Sequence, residues 1–183
     1  MKTRIILMGL LTLVGFPLLA LLGFYVFDDG LQSFLNILKT RSSYPTEILS
    51  GLLFGSTAGL SAWTVVQSRF MKNVKNQYAP IVADLDLNIG IIVFLSFCAG
   101  VGEEYFFRGF VQPYWGIWIT ALFFVGIHGY LNPKNWRLTI YGVLMTVLIA
   151  FAGWMSSYFG LVSAMIYHCM IDVVLFYNLS KVD

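Results

Sequence analysis

Charge is what this sequence has least of. Only 11% of its 183 residues are Asp, Glu, Lys or Arg, against 58% hydrophobic. A soluble domain draws roughly a quarter of its residues from those four types, so this chain cannot furnish a water-facing surface. A net charge of +2 without any basic run excludes the electrostatic footprint of a nucleic-acid binder. Cysteine is scarce as well. Cys98 and Cys169 both fall in apolar segments and lack a CxxC spacing, which argues against a disulfide framework or thiolate zinc site and leaves them as small residues packed between helices. Also missing is any stretch that alternates apolar and polar residues with period two, so a membrane β-barrel is excluded. There is no internal repeat and no low-complexity segment.

What the chain does have is long apolar runs, rich in the Tyr and Trp that anchor helices at lipid headgroups. A bilayer-crossing helix takes about 20 mostly apolar residues, and six stretches meet or approach that length: about 5–27, 47–66, 89–110, 115–130, 138–155 and 161–179. The expected fold is therefore all-α, a polytopic transmembrane helical bundle of about six transmembrane helices. The first run outlasts the apolar core of a signal peptide and has no small-x-small site after it, so it reads as a retained helix. Turn signals stand between the runs at Asp28-Asp29-Gly30, Tyr44-Pro45, Ala79-Pro80, Gln112-Pro113 and Asn132-Pro133. In the 67–88 linker, Phe70, Val74 and Tyr78 recur at helical spacing beside Arg69, Lys72 and Lys75, the pattern of an amphipathic helix on an anionic membrane surface. We expect one integral membrane domain over 1–183, with 1–88 supplying two helices and this linker, and 89–183 the helices that carry the site.

Positive charge sets an expected orientation. With the N-terminus in the cytoplasm, the inner side collects Lys2, Arg4, Arg69, Lys72, Lys75, Lys134, Arg137 and Lys181, and the outer loops keep only Lys39 and Arg41. The expectation is a multi-pass cytoplasmic (inner) membrane protein with both termini cytoplasmic.

Ionisable groups inside a bilayer cost roughly 2.5–3.5 kcal/mol each on insertion scales, and here they gather in the second half. Glu103, Glu104 and Arg108 lie on the third helix, His128 on the fourth, His168 and Asp172 on the sixth. Counting ~1.5 Å per residue from each helix end brings Glu103, His128 and His168 to one level, in the outer half of the membrane. Glu104 and Arg108 are spaced i,i+4 and can pair on one face, as can His168 and Asp172. Glu103 points about 100° away from Glu104, free to exchange a proton with a neighbouring group. Phe106, Phe107 and Phe124 read as packing or lipid-facing residues.

The segment Gly102-Glu103-Glu104-Tyr105-Phe106-Phe107-Arg108 resembles the Glu-Glu-x-x-x-Arg signature of the CAAX prenyl protease and bacteriocin-processing family, also called CPBP or Abi, whose members are intramembrane glutamic endopeptidases. Phe124-Val125-Gly126-Ile127-His128 is similar to its Phe-x-x-x-His motif, and His168-Cys169-Met170-Ile171-Asp172 approaches its His-x-x-x-Asn motif. The three come in the family's order, over the C-terminal half. The resemblance implies that Glu103 and His128 activate the attacking water, that His168 and position 172 stabilise the oxyanion, and that Glu104 and Arg108 hold the site's shape. Asp172 departs from the family's Asn. An ionised Asp cannot donate to an oxyanion, so it is either protonated or an orienter of His168.

No cofactor is expected. A divalent metal such as zinc is the alternative, since carboxylates and imidazoles are its ligands, although the His-Glu-x-x-His spacing is absent. The expected activity is hydrolysis of a peptide bond in a membrane-anchored or exported protein or peptide, with the bilayer as the other partner. Two rivals remain. One is a proton- or ion-coupled transporter, disfavoured because the polar residues occupy only one half of the chain. The other is a non-catalytic binding or immunity protein of the same fold.

Overall fold

The computed structural model describes residues 2–85 and 87–181. Met1, Asp86, Val182 and Asp183 lie outside the described residues, Asp86 being one position of the expected linker. Among the described residues there is no strand. Hydropathy and local caps together determine the helices. Helix α1 (Lys2–Phe27) is apolar nearly all round and buries only Gly9, Ala20 and Phe24, so most of its surface faces lipid. A short α2 (Leu31–Asn36), which the apolar pattern does not announce, follows the Asp28-Asp29-Gly30 turn. Helix α3 (Tyr44–Gln67) starts where the Ser43 hydroxyl accepts from the Thr46 amide and Pro45 occupies the first turn. Asn88 caps α5 (Ile89–Glu104) through the Ile91 amide, and Asn135 caps α7 (Trp136–Tyr158) through that of Leu138. Helix α8 (Leu161–Leu179) is the last.

By length and composition, five helices can cross a membrane, and one of them, Ile89–Ile127, runs for 39 residues. At ~1.5 Å per residue a straight helix of that length would reach about 58 Å, nearly twice the ~30 Å hydrocarbon core. It is not straight. After α5 the backbone passes through a π-helical segment, Tyr105–Val111, into α6 (Gln112–Ile127), where Gly116 takes φ 74° and ψ 170°. That left-handed conformation suits glycine. Residues 103 and 128, which a continuous helix would hold far apart, come into side-chain contact, so the chain reverses near Gly116. The two apolar limbs expected here are present. Their turn falls three residues beyond Pro113, which itself lies in the first turn of α6.

Pro80 is not a turn either. It lies inside α4 (Lys72–Asp84), on an exposed stretch where the Asn76 carbonyl that loses its partner can be served by water. Helix α4 has the amphipathic form expected of the linker, turning Val74 and Ala79 inward.

Side-chain contacts fix the helix directions. Gly9 lies against Cys98 and Gly102 against Thr12, and the Phe24 ring meets that of Phe110, so α1 and α5 are parallel. Arg108 donates to the Ile149 carbonyl and Gln112 to that of Gly153, which makes α7 parallel to them. Helix α3 runs with α8. Gly51, Gly55 and Gly59 meet Ser163 and Ile166, then Tyr167 and Met170, then Ile171 and Val174. In lipid, where apolar burial between helices drives little, such close approach of small residues is the main source of association. A Cβ at Gly55 would stand 2.6 Å from the Tyr167 carbonyl oxygen. Helix α1 therefore begins, and α8 ends, at one end of the bundle. The Gly116 turn, the α2–α3 loop and the α7–α8 turn mark the other.

Candidate active site

The polar residues of α5, α6 and α8 meet inside the bundle. At the end of α6, His128 donates from Nδ1 to the Phe124 carbonyl at 2.7 Å. A carbonyl can only accept, so this bond fixes the proton on Nδ1. It leaves Nε2 facing the Glu103 carboxylate, with Oε2 3.5 Å away. That separation is longer than a direct hydrogen bond. It suits two groups that share a water or a proton.

Glu104 turns the opposite way. Its Oε2 pairs with Arg108 Nε at 3.0 Å, and its Oε1 accepts from His168 Nδ1 at 2.8 Å. His168 then presents Nε2 to Asp172 Oδ2 at 3.6 Å. Arg108, Glu104, His168 and Asp172 thus form one chain across α5, the π-helical segment and α8. Its middle is dry: Glu104 is fully buried and Arg108 and His168 nearly so. Glu103 and Glu104 are sequence neighbours aimed at different histidines, as their angular offset on a helix requires. The π-helical segment begins directly after them. Such segments recur at functional sites because the extra residue per turn re-aims the side chains beside it.

Glu103, His128, His168 and Asp172 line one cavity of about 290 Å³. On its other side lie Met8, Gly9 and Thr12 of α1. A second cavity of about 280 Å³, under α4, shares His128, Tyr130, Asp172, Leu175 and Phe176 with the first. The space around the two histidines therefore extends toward the end of the bundle that holds the termini. Among the described residues, no three His, Cys, Asp or Glu side chains converge so as to hold a metal ion.

Every candidate residue read from the sequence is in this cluster, and two contributors were missed. Phe124 stacks on His128, with ring centroids 4.3 Å apart, meets His168 edge-on at 5.5 Å, and lies 5.0 Å beneath the Arg108 guanidinium. One ring therefore sets the orientation of both imidazoles. The other is Glu47, a fully buried carboxylate at the start of α3. It lies so close to Gly160 that a Cβ there would come within 2.4 Å of it. Gly160 precedes the first residue of α8, where backbone N–H groups have no helical partner and favour negative charge. Glu47 thus abuts the first turn of the helix that carries His168 and Asp172.

Buried carboxylates and imidazoles from three helices thus converge on one cavity within a bundle whose helices can cross a membrane. Residues 85–174 match the family described as Type II CAAX prenyl endopeptidase Rce1-like. The match agrees with the CPBP motifs that the chain resembles, and all six polar residues of the cluster lie within the matched region. By that description the family is one of endopeptidases. No curated protein and no solved structure matches the chain.

Proposed function

We propose that this protein is an intramembrane endopeptidase that hydrolyses a peptide bond with water activated by Glu103 and His128. The observation that carries this reading is the pairing of the Glu103 carboxylate with His128 Nε2 at 3.5 Å, both facing the cavity that His168 and Asp172 also line. A water held between them loses its proton to Glu103 as it attacks the scissile carbonyl, and Glu103 returns that proton to the departing amine as the C–N bond breaks. His128, anchored through Nδ1, keeps Nε2 on that water. His168 Nε2 lies on the far side of the cavity, where a doubly protonated imidazole, its charge balanced by Glu104, donates to the oxyanion. Asp172 sets the tilt of that ring. Glu104 and Arg108 hold the frame. No step in this scheme passes through a metal.

The direction of the cavity bears on the substrate. Sequence reasoning favoured exported peptides, because it located the site in the outer half. The cavities instead lead toward the termini and α4, whose Lys72 and Lys75 mark it as surface-lying. With the termini in the cytoplasm, a segment entering from that side meets His128 and Asp172 first and Glu103 beyond them. This supports a membrane-anchored tail presented on the cytoplasmic face of the inner membrane.

The test is to express wild type and Glu103→Gln in a host lacking the endogenous gene and compare peptide termini in membrane and secreted fractions by mass spectrometry. A new terminus seen only with wild type is the expected result. Identical termini, with both proteins folded and the native substrate present, would sink the protease reading and favour the transport or binding rivals.

A further inference from the structure

A third cavity lies at the opposite end of the bundle and shares no lining residue with the two cavities around the histidines. It has a volume of about 400 Å³, and its polar walls are Lys39, Arg41, Arg108, Gln112, Ser156 and Ser157. Three cations face it and no carboxylate lines it. Asp28, Asp29 and Glu47, the acids at this end, are not part of its wall, although Glu104 offsets the charge of Arg108 from behind. The loop that supplies two of the cations is tied down. Arg41 donates to the Ser157 carbonyl at 3.0 Å, and the Ser42 hydroxyl donates to that of Phe159 at 2.9 Å.

Arg108 supplies a second, independent sign. It is 3% exposed. Its Nη2 donates to the Ile149 carbonyl, whereas Nη1 is buried without any hydrogen-bond partner, as is Nε, which stands in ion-pair range of Glu104. Leaving a charged buried donor unserved is costly, and the guanidinium fork is shaped for two oxygens of one anion. The cavity also opens at a defined depth. Around this end stand Tyr114, Trp115, Trp118, Trp154 and Tyr158, all exposed, as rings are where a bundle crosses the headgroup layer.

We infer that this vestibule binds the phosphate of an anionic phospholipid headgroup. Lys39 and Arg41 reach it from the loop, and Arg108 receives it at the floor through Nη1. A lipid is favoured over a free anion because the cavity lies at the aromatic girdle, with the lipid-facing surfaces of α6 and α7 directly below for acyl chains. The assignment does not depend on the proteolytic reading.

The test uses the full-length protein in nanodiscs of phosphatidylcholine containing a minor fraction of phosphatidylglycerol. The protein is released into mild detergent and retained lipid is counted by native mass spectrometry. Wild type should retain phosphatidylglycerol over phosphatidylcholine. Lys39→Gln/Arg41→Gln should weaken that preference on the order of tenfold, given what each basic residue contributes near anionic lipid. Lys72→Gln/Lys75→Gln, at the other end, should leave it intact. If the first double variant proves unstable, the single substitution Lys39→Glu, at an exposed loop position, gives the same readout. Equal retention by wild type and the Lys39 and Arg41 variants overturns the site. Displacement of the lipid by millimolar inorganic phosphate overturns the lipid source, and persistence of the lipid supports it.

Discussion

His168 donates from Nδ1 to Oε1 of Glu104 at 2.8 Å, joining positions 64 residues apart in the chain. Because the other oxygen of Glu104 faces Arg108, this carboxylate has two partners on two elements and no exposure of its own. The adjacent Glu103 has one partner, His128, across a gap. The two neighbouring glutamates should therefore fail in different ways.

Replacing Glu104 with Ala strands Arg108 without a counter-charge and releases His168. Breaking a buried pair from one side costs about 3–5 kcal/mol. Thermal unfolding of the purified protein should show a large loss of stability together with loss of activity.

Replacing Glu103 with Gln keeps the volume and removes the base. Cleavage of a native substrate should fall by at least about 100-fold, with the unfolding midpoint close to wild type. A comparably large drop in stability would reassign Glu103 to the frame.

Glu47→Ala removes the carboxylate from the start of α8. The expected loss is about 1 kcal/mol, as for other helix caps, and Glu47→Gln should recover part of it because the amide oxygen still accepts. Hydrogen exchange localises the effect: the amides at 161–163 should exchange faster in Glu47→Ala, with those of α1 unchanged.

Gly55→Val forces a side chain into the Tyr167 backbone, where even a Cβ would stand 2.6 Å from oxygen. Over-packing of this kind costs about 1–3 kcal/mol, and displacing α8 should also reduce activity. Gly15, whose Cβ would meet nothing within 4 Å, is the control, and Gly15→Ala should be silent in both assays.

If Asp172 only sets the tilt of His168, Asp172→Asn should keep activity to well within the 100-fold that loss of an acid or base costs, whereas Asp172→Ala should not. Wild type should also withstand EDTA and 1,10-phenanthroline at concentrations that strip zinc sites. Loss of activity on chelation, restored by added zinc, would replace the Glu103–His128 scheme with a metal-bound water.

The helices and the shared level of Glu103, His128 and His168 were readable because hydropathy and rise per residue are local quantities. The i,i+4 spacing of Glu104 and Arg108 gave their pairing correctly. It also concealed the bond to His168, since a carboxylate with one satisfying neighbour prompts no search for another. Phe124 looked like packing because a ring's service to two histidines exists only after three helices converge. Glu47 sat in an ordinary first turn, and nothing in its neighbours announces the start of a helix more than 110 residues later. The reversal at Gly116 was displaced onto Pro113 for a related reason: proline is a strong signal for a turn, yet it is equally at home in the first turn of a helix.

The Glu104–Arg108 pair has one more consequence. The vestibule ends at Arg108 and the reaction cavity at Glu103 and His168, and no lining residue belongs to both. A hydrolase inside a bilayer must admit water, and an open path through it would dissipate ion gradients across that membrane. Here the buried Glu104–Arg108 pair stands between the two cavities and helps to keep them separate within the bundle.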